Sequence, residues 1–261
     1  MEGHLLPSAY EVDDGFATAR EMSGTVVRSQ TLGIGLGCDK CIEPSLGRFN
    51  QEALRHIDYA IKSAGEHGIK LLIPLSETAL VCTGEEPIFP LFYSGDMCRF
   101  VRWRDSTHIR DFITNPTIIK DFERYIDVVL NHVNTYTGIA YKNDPTILGW
   151  ENCDGSGSFI TLGGSESDTK SMASWVREIG QHIKQVGEQH LYEDGSCLFT
   201  RDPEVTRTAS VDIVSEEIYP FWDHFTGISQ GISPPTISRS TWATWIPSES
   251  MDKPDWRPRL P

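Results

Sequence analysis

An acid closes a short apolar stretch, a placement that acid–base chemistry can use, but a second acid is missing where catalysis would want one. Residues Asn143-Asp144-Pro145-Thr146-Ile147-Leu148-Gly149-Trp150-Glu151 form an Asp-Pro turn, an apolar run, then an aromatic and a carboxylate. The run reads as a buried strand. A buried strand that delivers an acid to its C-terminal end is how α/β barrels build active sites. Asp154 comes three residues later. Glu151 and Asp154 are therefore the first candidates for moving a proton. The alternative is that both are structural and accept backbone N–H groups in the turn. Gly155, next in line, has no side chain to carry a proton.

The elements that must position these acids alternate between strand and helix. Thr25 to Leu32 is rich in β-branched residues and reads as a strand. A glycine- and proline-marked loop follows, from Gly33 to Gly47. Leu54, Ile57, Ile61 and Ala64 recur at helical spacing, which predicts a helix over roughly 50–66. Gly68 ends it, and Ile69 to Leu75 is a buried strand. A long loop spans about 76–114, the kind usually kept for function. Asn115-Pro116 is a helix start, with Asn as cap and Pro in the first turn. Ile118, Phe122, Tyr125, Val129 and Val133 then form one stripe.

A Gly/Ser-rich loop follows the 146–151 strand to about 170. Met172, Trp175, Ile179, Ile183 and Val186 mark another helix. His190–Asp194 and Val211–Ser215 read as strands, and Thr241–Ile246 as a last one. Tyr10 to Met22 is helical at the front. Strands separated by helices predict a parallel sheet. Six candidate strands in this order fit either a doubly wound sheet or an eight-stranded barrel with its first and last strands weak or missing. Gly33-Ile34-Gly35-Leu36-Gly37 lacks the helix that a dinucleotide-binding turn opens at once.

The chain has 261 residues, 39% hydrophobic and 23% charged, which suits a single globular domain over 1–261. Its formal charge is −14, from 37 acids and 23 bases. That balance argues against nucleic acid and anionic membrane as partners. No apolar run approaches the roughly 20 residues that span a bilayer. Glu2-Gly3-His4 has neither the basic start nor the apolar run of a signal peptide, so taken literally the chain is intracellular, the alternative being a mature or truncated form of a secreted protein. Six cysteines occur. Cys38 and Cys41 have zinc or redox spacing, but no second close pair accompanies them, and no metal or cofactor is expected.

Several motifs, in order, resemble the endo-β-1,4-mannanases of glycoside hydrolase family 5, especially fungal mannanase-like proteins. They are Gly68–Leu75, Asp111–Pro116, Asn134–Gly138, Tyr141–Glu151, Ile183-Lys184 with His190-Leu191, and Val211–Ser215 with Tyr219-Pro220. The resemblance covers roughly residues 10–222. It implies a (β/α)8 (TIM-type) barrel with a retaining mechanism and a β-mannan type polysaccharide or oligosaccharide as substrate. Family members are mostly secreted.

That mechanism uses two carboxylates, at the ends of barrel strands four and seven. The resemblance makes Thr146–Glu151 strand four and Thr241–Ile246 strand seven, so Glu249 is the positional nucleophile. Glu217 replaces a histidine expected before Tyr219-Pro220 and is a second candidate. Arg28 matches the arginine that braces the nucleophile. Trp103, Trp150 and Tyr219 match aromatic positions that stack on sugars, or else serve as core packing. The family carries Asn-Glu four and five residues after the tryptophan, where this chain has Asp154 and Gly155. Three readings follow: a mannanase-type hydrolase, a barrel that binds saccharides without hydrolysis, or a hydrolase fragment. The Pro-rich end, Pro254 to Pro261, is unlike a final barrel strand.

Overall fold

The computed structural model describes residues 7–29, 41–77, 97–155, 166–195 and 210–215. All of them lie in one compact unit, Met1–Glu217. Helix α1 (Ala9–Glu21) starts at Ser8 with a complete capping box to Glu11. Strand β1 (Val26–Arg28) follows. Helix α2 (Gln51–Glu66) is capped by Asn50, whose side chain accepts from Glu52 N at 3.0 Å. Strand β2 (Lys70–Pro74) comes next, then the short helices α3 (Met97–Arg102) and α4 (Asp111–Thr114). Helix α5 (Pro116–Asn131) is capped by Asn115, with Pro116 in its first turn. Strand β3 (Ile147–Glu151), helix α6 (Glu166–Val186) and strands β4 (Leu191–Asp194) and β5 (Ile213–Val214) complete the order.

The strands pair in chain order, β1-β2-β3-β4-β5, and every pair is parallel. A doubly wound sheet reverses direction at a switch point. Among the described strands there is no reversal, so the sheet winds one way, as a barrel does.

Where the sequence predicts loop over 76–114, the described part contains α3 and α4. Each is too short for its periodicity to show in a sequence. Phe100 on α3 and Phe112 on α4 are fully buried. They meet Phe122, Tyr125 and Trp175 from α5 and α6, with ring centroids 5.1–6.1 Å apart. Such pairs add about 0.5–1.5 kcal/mol each beyond their buried area. This aromatic layer fixes the helices to one another.

A buried polar hub ties α2 to the turn after α5. Both carboxylate oxygens of Asp58 are engaged, by His132 and Tyr141 on one side and by Thr135 N and Oγ1 on the other, at 2.7–2.9 Å. Burial alone would raise its pKa, but these bonds outweigh burial and hold it below the usual value. The Asn134–Gly138 and Tyr141 motifs thus serve the scaffold.

Glu43 is a second fully buried acid. It accepts from Gly47 N at 2.7 Å and lies 3.7 Å from Arg124, while Oε2 has no partner. Burial pushes its carboxyl up to about 7, against the pull of Gly47 and Arg124. A raised native pKa gives stability that is complete below the unfolded value and lost as pH rises through the native one. Glu43→Gln should therefore stabilise the fold by about 2–3 kcal/mol at pH 8 and by far less at pH 4. Urea unfolding at the two pH values measures this, and equal effects at both would remove the argument.

Candidate active site

Alternate residues of a strand face opposite sides of its sheet. On β4, Tyr192 turns to the helices, where its hydroxyl donates to Val176 O of α6 at 3.1 Å. Trp150 is in register with Tyr192 and shares that face. Its indole N–H donates to His190 Nδ1 at 3.0 Å, and His190 Nε2 lies 3.0 Å from Asp144 O. An indole only donates and a carbonyl only accepts, so His190 is neutral with its proton on Nε2. Trp150 is fully buried in the core. It is a packing residue with no ring face left for a ligand.

The other face carries the acids. Glu151 is in register with Glu193 across β3 and β4. Glu151 is fully buried and takes two bonds from Arg28, Nε to Oε2 and Nη2 to Oε1, both at 2.7 Å. The same Nη2 reaches Asp154 Oδ1 at 2.9 Å. Arg28 keeps 33% of its side chain exposed and Asp154 keeps 19%, so the cluster opens outward at Arg28 and Asp154. Burial pushes the Glu151 carboxyl up, and the Arg28 pair opposes that push. Burial likewise raises Glu193, against a hydrogen bond from Ser215. Arg28, whose own charge burial disfavours, is held firmly protonated by the two acids.

Backbone and amide bonds hold the end of β3. Asn152 Nδ2 donates to Tyr192 Oη (2.9 Å) and Asp194 Oδ1 (3.2 Å), while its Oδ1 accepts from Cys153 N (2.6 Å) and Gly195 N (3.1 Å). Ser76 Oγ donates to Asn152 O, and Asp154 N donates to Ser76 O, both at 2.9 Å. Gly155 N donates to Gly195 O at 3.0 Å, with φ at +72°. A side chain is strained in that left-handed region by roughly 1–2 kcal/mol.

Of the residues chosen from sequence, Arg28, Glu151 and Asp154 meet in one cluster. Arg28 pairs with these two acids. Trp103 is half-buried and packs edge-on against Phe100 at 5.3 Å. Glu217, Tyr219 and Glu249 lie outside the described residues. Asn152, Glu193 and Asp194 were not singled out from sequence. The signal available was Tyr192-Glu193-Asp194-Gly195, two acids closing an otherwise apolar strand. Cys41 and Cys98 are each disulfide-bonded, and Cys153 is buried. Among the described residues no His, Cys, Asp and Glu group is arranged to hold a metal ion, and no helix is long and apolar enough to cross a membrane.

Comparison with known proteins agrees with this architecture. The family model described as GH family 5 beta-mannosidase-like matches residues 37–206. Mannan endo-1,4-beta-mannosidase 4 of rice is 28% identical over 74% of this chain and 43% of its own length. Mannan endo-1,4-beta-mannosidase 7 of Arabidopsis thaliana is 28% identical over 71% of this chain and 40% of its own length. The chain thus spans less than half of these curated relatives. The endo-1,4-beta-mannanase structure from Rhizomucor miehei superposes with a TM-score of 0.67 and 27% identity, covering 83% of this chain and 64% of that one. The endo-beta-1,4-mannanase structure from Thermotoga petrophila gives 0.70 at 24% identity, over 83% and 50%. With the strand order, the motifs and the family model in agreement over most of the described residues, the chain belongs to the beta-mannosidase-like proteins of glycoside hydrolase family 5.

Proposed function

We propose that the chain is a glycoside hydrolase that cleaves β-1,4-linked mannan or a closely related β-glycan. The observation that carries this reading is the Arg28–Glu151–Asp154 cluster at the C-terminal end of the parallel sheet, where barrels of this kind do their chemistry. The mannanase names of the curated relatives and of the Rhizomucor miehei structure support the substrate class. The fungal kinship suggested by the motifs belongs to the same proposal. Retaining hydrolysis needs one carboxyl to protonate the leaving oxygen and one to attack or stabilise the anomeric carbon. Glu151, Asp154, Glu217 and Glu249 are the carboxylates put forward for these roles, with Trp103 and Tyr219 as sugar-stacking aromatics.

Folded protein should release reducing ends from β-mannan and galactomannan. Glu249→Gln should lower the release by about 100-fold or more, as loss of a reacting carboxyl does. A folded wild-type protein that releases nothing from either polymer contradicts the reading.

Gly155 favours a second reading. It stands where the family's proton donor is placed by the motif, and its N–H is committed to Gly195 O. On that ground the barrel binds saccharides without cleaving them. Calorimetric binding of manno-oligosaccharides without turnover would select it.

A further inference from the structure

Three carboxyls surround Arg28 on the inner face of the sheet, and their hydrogen bonding differs. Both oxygens of Glu151 receive N–H groups from Arg28. Asp154 is ion-paired to the same guanidinium at 2.9 Å. Burial raises the Glu151 carboxyl to about 8 against the pull of Arg28, but both of its oxygens are taken by the guanidinium and neither is left to meet a substrate. Glu193 differs from both. It lies beside Glu151 in the β3–β4 register, is only 2% exposed, and its Oε2 has no hydrogen-bond partner. A buried polar atom without a partner needs explaining by a water or a ligand group that binds there.

We propose that Glu193 supplies the proton that cannot come from Gly155, passing it to the glycosidic oxygen directly or through one water. The inference rests on the hydrolase reading and deepens it. In the first step the bond between the anomeric carbon and the leaving oxygen breaks. Its electron pair stays on that oxygen, which takes the Glu193 proton. Water finally supplies a hydroxyl to the anomeric carbon, and the remaining water proton returns to Glu193. The net reaction is hydrolysis, with Glu193 restored.

The surroundings suit a group that is protonated before the step. Arg28, Glu151, Asp154 and Asp194 are the charged or titratable neighbours, and Ser215 donates a hydrogen bond to the carboxyl. Burial raises the Glu193 pKa, with the negative charges of Asp194 and Asp154 adding to it and Ser215 and Arg28 opposing. Raising a carboxyl by burial is how a glycosidase keeps its acid protonated at working pH.

The test compares two substrates. Mannopentaose has a poor leaving group and needs the proton, whereas 2,4-dinitrophenyl β-mannobioside does not. Glu193→Gln should lower kcat/KM on mannopentaose by about 100-fold or more, the range of acid catalysis, and on the aryl substrate by less than tenfold. It should also remove the alkaline limb of the pH profile. Ser215→Ala guards against a folding artefact. It removes a bond that lowers the Glu193 pKa, so the alkaline limb should move to higher pH. Equal losses on both substrates in a folded Glu193→Gln protein, or an unmoved limb in Ser215→Ala, would overturn the assignment and leave the hydrolase reading standing. A wild-type protein that turns over neither substrate overturns both.

Discussion

Arg28→Ala should destabilise the protein by about 3 kcal/mol at neutral pH, because breaking a buried ion pair strands the remaining charge. The stranded charge is Glu151, which is fully buried and receives both of its Arg28 bonds at 2.7 Å. The loss should shrink at pH 5, where Glu151 can take a proton and become neutral. The sign follows from linkage. Without Arg28 nothing opposes burial, so the native pKa of Glu151 rises further. Stability is then complete below the unfolded value and falls as pH climbs through the native one. Urea unfolding at pH 5 and pH 8, followed by tryptophan fluorescence, reads the difference. The double variant Arg28→Met with Glu151→Leu should recover most of the loss, since replacing both partners by apolar groups is often near neutral. If the single variant loses less than the double one, Arg28 is not compensating Glu151. On the proposed hydrolase reading, Arg28→Ala should also abolish release of reducing ends from mannan, because the cluster that organises the strand ends is gone.

Gly195→Ala should be the most damaging small substitution in the described residues. A Cβ at this position would lie 2.0 Å from Glu151 Oε1 and 2.3 Å from Cys153 O. Neither neighbour can retreat. The carboxylate is clamped by Arg28, and the carbonyl belongs to the backbone at the β3 exit. Overpacking of this kind costs about 1–3 kcal/mol, and a clash with two fixed groups belongs at the upper end or beyond. Gly15→Ala is the matched control. Nothing lies within 4 Å of its added Cβ, and it sits inside α1. Helix propensity then favours alanine by roughly 0.8–1 kcal/mol. Thermal melts should shift in opposite directions for the two variants. A Gly195→Ala protein with an unchanged Tm would mean that the strand ends are looser than the distances imply.

Much of the scaffold is legible in the chain because it rests on local rules. The stripe Leu54, Ile57, Ile61, Ala64 announces α2, and Asn115-Pro116 announces the start of α5. The apolar run after Asp144-Pro145 announces β3 and places an acid at its end. These are properties of spacing within one segment, and spacing survives in a linear sequence. The motifs shared with the mannanases told of the family for the same reason. Some of them, such as Asn134–Gly138 and Tyr141, turn out to anchor Asp58 rather than to meet a ligand.

What only the tertiary structure decided is which side chains meet. Trp150 and Glu151 are neighbours in sequence, yet strand pleating sends one to the core and the other to Arg28, which lies 123 residues away. Glu193 gained its place beside Glu151 through the register of two parallel strands, which no local pattern encodes. Asn152 became the clasp between strand ends because its amide can satisfy four partners at once. Gly155 shows the division most sharply. Its identity alone states that no side chain can donate a proton there. The fold adds that its backbone occupies the left-handed region and bonds to Gly195, so a side chain restored at that position would begin in a strained turn. The sequence by itself determined the longer elements, though not the short helices α3 and α4, and the chemistry each end can carry. Long-range pairing, which depends on register and burial rather than on spacing, determined which of those groups share a site.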